Sequence, residues 1–294
     1  MSHFLRTLQS GQVLLMDGAM GTELQRAGLA EGQCHESWNL AHRERVRAVH
    51  ARYANAGSQC LVTNTFQSNP ANLARHHLQA ELEAINRQGI ALARAESGEN
   101  VFVLASIGPM SLEGNDFDRV VRSLSTADAL LLETWSGESG IAAAKRACDP
   151  AVNTRRLPVL LSFTFRADSS GSRKAVVHEG ELGAAEIAER AHSSGIAALG
   201  VNCGREIDPA ASAEILRDYR RATDLPLFAR PNAGTPSRQG DRWIYPRTPE
   251  RMAAGLTSLL QAGAAMVGGC CGTTPEHIAA FKPIVNAWNQ RPHQ

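Results

Sequence analysis

The sequence predicts an α/β fold, a single (β/α)₈ TIM barrel over residues 1–294, and three observations carry that expectation. Short apolar runs alternate with longer amphipathic segments eight times over about 280 residues. The runs lack polar alternation, as parallel strands covered on both faces do. No Gly-x-Gly-x-x-Gly follows the first run, which weighs against the runner-up, a doubly wound open sheet.

The elements follow in order. Residues 13–17 form the first strand. Residues 43–56 form a helix with Val46, Val49 and Tyr53 on one face, and 60–63 the second strand. A helix at 82–96 carries Ile85, Ile90 and Leu92 inward, before a third strand at 101–105. The fourth and fifth strands are 129–133 and 158–163, with a helix at 181–193 after them. Strand six is 196–201, followed by a helix at 209–222. Strand seven is 225–229, followed by a helix at 248–260. Strand eight is 264–267. Thr274 is suited to cap a last helix, with Pro275 at its first position and Glu276 in its first turn. Two segments fit less well. Between 107 and 128 there is room only for a short helix near 117–124, a thin flank. The polar loop 166–180 follows strand five on the side where barrel sites are built, and is expected to act as a lid.

Composition narrows the function classes. Hydrophobic residues make up 43% and charged residues 20%, enough for a large core without a membrane. Thirty basic residues against 29 acidic give a net charge of +1, so nothing favours nucleic acid or an anionic membrane as partner. The N-terminus lacks the apolar core of a signal peptide, and no run reaches the roughly 18 apolar residues of a membrane span. Cys34, Cys60, Cys148, Cys203, Cys270 and Cys271 show no framework spacing. They point to a reducing cytoplasm and to metal-binding or catalytic thiols rather than disulfides. No heptad or apolar patch assigns an oligomeric state.

The chemistry concentrates at 264–277. An apolar run ends in Gly268-Gly269-Cys270-Cys271-Gly272, on a tight turn from strand to helix. Adjacent cysteines rarely bridge each other, but two thiols on one turn can hold one soft metal. Another apolar run ends in Asn202-Cys203-Gly204 and supplies a third thiol. Catalytic zinc takes three protein ligands and keeps one position open. Cys203, Cys270 and Cys271 are therefore expected to bind Zn²⁺, with a substrate thiol as fourth ligand. Cys203 alone also reads as a small buried hydrophobe, and Gly268-Gly269 as a phosphate cradle. His277 falls on the last helix rather than at the metal.

The paired-cysteine motif, Asn202-Cys203 and Asp17-Gly18-Ala19-Met20-Gly21-Thr22 together resemble the homocysteine S-methyltransferase family. Thr63-Asn64-Thr65-Phe66, Glu133-Thr134 and Pro231-Asn232-Ala233-Gly234 fit the same pattern, which covers roughly residues 10–290. The resemblance implies a zinc enzyme that methylates homocysteine to methionine. Asp17, Thr63, Glu133, Ser162, Cys203, Asn232 and Cys270 all sit at or just after strand ends, which in a parallel barrel meet at one mouth. Glu133 and Asp17 would receive the substrate ammonium, though either also reads as a cap or a lysine partner. Gly18 and Ala19 belong to a loop whose N–H groups would take the carboxylate, or to an ordinary Gly-rich turn. Thr63, Asn64, Ser162, Asn202 and Asn232 would surround substrate or metal, or simply tie strand ends together.

A thiol with a free pKa near ~8.5 ionises on coordination and then attacks a methyl carried by an onium group, which leaves neutral. Phe66, Trp135 and Phe163 would line the donor pocket, since cations favour aromatic faces; Trp243 and Tyr245 fall in loops. Large relatives carry folate and cobalamin modules beyond this barrel. With the chain ending at Gln294, a free small donor is expected, S-methylmethionine or S-adenosylmethionine ahead of betaine. A separate methyl-cobalamin (corrinoid) protein is the alternative. Two other classes are a phosphate-binding barrel aldolase or isomerase and a non-enzymatic zinc- or redox-sensing barrel.

Overall fold

The computed structural model describes residues 1–167, 173–175, 182–240 and 242–291. Eight parallel strands form one sheet: β1 Leu14–Leu15, β2 Cys60–Val62, β3 Phe102–Ile107, β4 Ala129–Trp135, β5 Val159–Phe163, β6 Ala198–Asn202, β7 Leu227–Arg230 and β8 Ala264–Val267. Each pairs with its neighbour in chain order, and β8 pairs with β1. A parallel bridge between Met16 and Cys60 joins β1 to β2, with Asp17 N–H donating to Cys60 C=O at 3.0 Å, and closes the barrel.

Strand alternation sorts the apolar residues into two cores. Leu14, Met16, Cys60, Val62, Phe102, Leu104, Leu131, Leu160, Phe228 and Met266 fill the barrel interior. An N-terminal helix, His3–Leu8, plugs its bottom, setting Phe4 edge-on to Phe102 at 5.2 Å. The residues between them in the strands face the helices and join the larger shell core. Continued upward, the inward parity becomes polar: Ser106, Glu133, Ser162, Asn202 and Arg230 are all buried. That change of chemistry makes the mouth.

The helices Arg43–Ala56, Leu82–Glu96 and Pro209–Ala222 lie where the sequence places them, and the other expected ones shift by a few residues at their ends. One outer helix, Gly137–Cys148, is absent from the sequence reading. Gly137 and Gly140 break its pattern, yet Gly140 lets the helix press on Phe163, where an added Cβ would come within 2.8 Å of the ring. The thin flank is real: only Asp116–Ser123 is helical there, braced by Arg146, which grips Asp118 at 2.6 Å and the carbonyls of Leu112 and Gly114. Most of the expected 166–180 lid lies outside the described residues. No described helix is long and apolar enough to cross a membrane.

Candidate metal centre

Cys203 stands one residue beyond β6 in a left-handed conformation, φ +58°. Cys270 and Cys271 occupy the turn between β8 and the helix Pro275–Asn289. The segment leaving β7 runs between these two turns and fixes both. Cys203 N–H donates to Arg230 C=O at 3.2 Å and Cys270 N–H to Pro231 C=O at 3.0 Å, while Ala233 N–H donates to Cys271 C=O at 3.0 Å. The three Sγ atoms consequently lie within 4.8 Å of one another. The amides of Gly268 and Gly269 donate to Ala229 and Asp17 carbonyls, so neither is free to cradle a phosphate.

The thiols are held by amides. Asn232 Nδ2 donates to Cys203 Sγ at 3.5 Å and Asn202 Nδ2 to Cys270 Sγ at 3.7 Å. Asn202 is itself locked, accepting from Ser162 Oγ at 2.7 Å and Thr134 N–H at 2.9 Å. Without a cation, hydrogen bonds from Cys270 and Cys271 favour the Cys203 thiolate and hold its pKa well below the usual thiol value. The same contacts push Cys270 and Cys271 up. A divalent cation removes that conflict, because thiolate ligation displaces the protons. Three sulfurs with amide support therefore fit zinc. His277 is no ligand: its Nδ1 accepts from Thr274 N–H at 3.1 Å, which leaves Nε2–H to donate to Arg247 C=O at 3.0 Å.

Below the thiols, Asp17 and Glu133 meet a buried cation that the sequence reading did not name. Arg230, 3% exposed, donates to Glu133 at 2.6 Å, Asp17 at 3.3 Å and Gly269 C=O at 3.1 Å. Burial raises the Asp17 pKa to about 7 despite Arg230 and a hydrogen bond from Val62 N–H. Burial raises Glu133 too, against the pull of Arg230. Arg230 was legible by phase, since it follows Phe228 on the inward face as Glu133 follows Leu131.

A cavity of about 460 Å³ opens over the thiols. Gly18, Ala19, Thr63, Asn64, Phe66 and Glu133 line it with the three cysteines and Arg230. Asp17, Ser162, Asn202 and Asn232 do not; Asp17, Asn202 and Asn232 bond to groups that do, and Ser162 bonds to Asn202. Ala19 N–H is already donated to Thr273 Oγ1 at 3.2 Å, and Asn64 Nδ2 to His35 C=O at 2.8 Å. Trp135 and Phe163 are buried in the shell core and do not reach the cavity. Thr134, at φ +64°, and a register shift in β4 turn Trp135 outward, where its Nε1–H donates to Ile107 C=O. The mouth's aromatic wall is instead Phe66, Trp243 and Tyr245. Trp243 lies on the antiparallel hairpin Ser237–Gln239 and Arg242–Ile244, and Tyr245 follows it. Tyr245 rests on Gly272, which sits at φ +79° and whose added Cβ would lie 2.0 Å from the ring.

The family model for homocysteine S-methyltransferases matches residues 14–285. The chain belongs to the homocysteine S-methyltransferase family. Methionine synthase of Mycobacterium leprae is 32% identical over 95% of this chain, and that of Mycobacterium tuberculosis 31% over 92%. The aligned part is 25% and 24% of those two proteins, so this family member spans about a quarter of their length. The crystal structure of the Escherichia coli homocysteine methyltransferase MmuM in its metallated form superposes with a TM-score of 0.76 at 26% identity. It covers 95% of this chain and 99% of that one.

Proposed function

We propose that the protein transfers a methyl group from a small onium donor to the thiolate of homocysteine, giving methionine, in a reducing cytoplasm. The observation that carries this reading is the convergence of Cys203, Cys270 and Cys271 at the cavity. A zinc ion held by these three sulfurs would supply the positive charge that ionises an incoming thiol at neutral pH. Asn202 and Asn232 orient the sulfurs. Glu133, facing the cavity, receives the acceptor's ammonium, and Arg230 favours the ionised form of that carboxylate against its burial. The acceptor sulfur then attacks the methyl carbon. The donor's carbon–onium bond breaks, its electron pair stays with the departing heteroatom, and a neutral product leaves without a general acid.

The likeness to the homocysteine methyltransferase MmuM, which matches over nearly its whole length, supports homocysteine as the methyl acceptor. The likeness to methionine synthases supports methionine as the product, and a methyl-corrinoid protein at the same mouth is the second candidate source of methyl. The test is zinc-replete protein incubated with homocysteine and S-methylmethionine, S-adenosylmethionine, betaine or methylcobalamin. Methionine is read by mass spectrometry. Formation from a sulfonium donor is expected. No methionine from any donor, with one zinc bound per chain, would sink the assignment.

A further inference from the structure

Trp243 and Ile244 are unusual. Among the described residues, large hydrophobic side chains are exposed only at Met1, Trp243 (46%) and Ile244 (39%). The last two are neighbours on the hairpin that overhangs the thiol cavity. Trp243 and Tyr245 also line a second hollow of about 380 Å³, bordered by Gln25, Arg26 and Glu31. Arg238 already sets its guanidinium over the indole, 5.9 Å from the centroid, and pairs with Glu31 at 3.1 Å. Tyr245 lines the thiol cavity beside the three cysteines, seated on the glycine that follows them.

The cavity floor favours cations. Among the described residues lining it beyond the thiols, Glu133 and the buried Glu36 are acidic and Arg230 is the one arginine. Electron-rich ring faces above an acidic floor suit an alkylated cation that keeps no tight hydration shell.

We propose that Trp243, Tyr245 and Phe66 form the onium subsite of the methyl donor, holding its sulfonium or ammonium centre against the rings with the methyl directed at the cysteines. This rests on the methyl-transfer reading and gives its onium donor a location. The rings attract the charged donor and not the neutral product, so the subsite also favours release. Because the positive charge is consumed as the methyl moves, the attraction belongs mainly to the bound donor. Loss of Trp243 is therefore expected to raise the donor KM and leave kcat unchanged or higher.

Binding tests this without turnover. Zinc-loaded protein lacking acceptor is titrated calorimetrically with S-methylmethionine and with methionine, its uncharged counterpart. S-Methylmethionine is expected to bind about tenfold or more tightly than methionine. Trp243→Ala should weaken it about 2- to 30-fold, with homocysteine binding unchanged, and Trp243→Phe should restore most of the loss. Equal affinity for the two ligands, or an unaltered preference in Trp243→Ala, would overturn the subsite. Charge-selective binding in a protein that forms no methionine would keep the subsite and remove the reaction. Methionine formed from methylcobalamin, with no S-methylmethionine binding, would do the reverse.

Discussion

Replacing Arg230 by methionine tests whether the buried charge cluster is balanced as the structure implies. The substitution removes donors to Glu133 at 2.6 Å, Asp17 at 3.3 Å and two backbone carbonyls from a site 3% exposed. Breaking a buried ion pair from one side costs about 3–5 kcal/mol. The pH dependence identifies the cause. Burial pushes Asp17 up to about 7 in the folded protein, well above the ordinary carboxylate range, and raises Glu133 as well. The folded state thus binds more protons than the unfolded state, and stability falls as pH rises from about 4 through the folded values. Arg230 holds those values down; without it both carboxyls keep their protons to higher pH. The penalty should be smallest near pH 5. Above pH 7 it should grow by about 1.4 kcal/mol per pH unit for each extra proton retained. Urea unfolding of wild type and Arg230→Met at pH 5.5 and 8 measures it. Adding Asp17→Asn to Arg230→Met should recover part of the loss at pH 8, because an amide needs no counter-charge. A penalty under about 1 kcal/mol, or one equal at both pH values, would refute the argument.

Three further outcomes are expected. Cys203→Ser should weaken zinc binding at least ~100-fold in chelator competition; tight one-to-one zinc in that variant would remove Cys203 from the site. His50 is fully buried, its ring nitrogens have no hydrogen-bond partner among the described residues, and burial lowers its pKa to about 4. Its contribution is whole above pH 6.5 and is lost, up to about 3 kcal/mol, as pH falls toward 4. His50→Leu should therefore flatten the stability profile over that interval by about one proton, and parallel profiles would count against it. Gly272→Ala places a Cβ 2.0 Å from the Tyr245 ring at φ +79°. A loss of about 1–3 kcal/mol is expected, with zinc retained and methyl transfer reduced more than about tenfold. Unchanged turnover would show that Tyr245 need not hold its place.

The cysteines were legible because their residue type and their setting agree. Paired thiols among glycines have no role in a strand, and Cys203 repeats the pattern at another strand end. The barrel was legible because strands covered on both faces must be apolar on both parities, which leaves few other topologies. What remained hidden depended on phase and on contacts between distant segments. Arg230 is the last residue of β7, and only the alternation from Phe228 shows that it points inward to Glu133. Trp135 fails the same rule for a local reason: by plain alternation it would follow Glu133 into the mouth, but the left-handed Thr134 reverses it. No pattern in the sequence reveals that reversal, since threonine rarely adopts positive φ. Nor could spacing show that a hairpin beyond β7 would carry Trp243 and Tyr245 back over the turn after β8. The Tyr245 contact with Gly272 makes this more than a passing loop position: any side chain at residue 272 would drive the ring off the cysteine turn. The glycine that looked like part of a metal-binding turn therefore also seats an aromatic wall. This joins the two halves of the proposed reaction, acceptor thiol and cationic donor, at one residue.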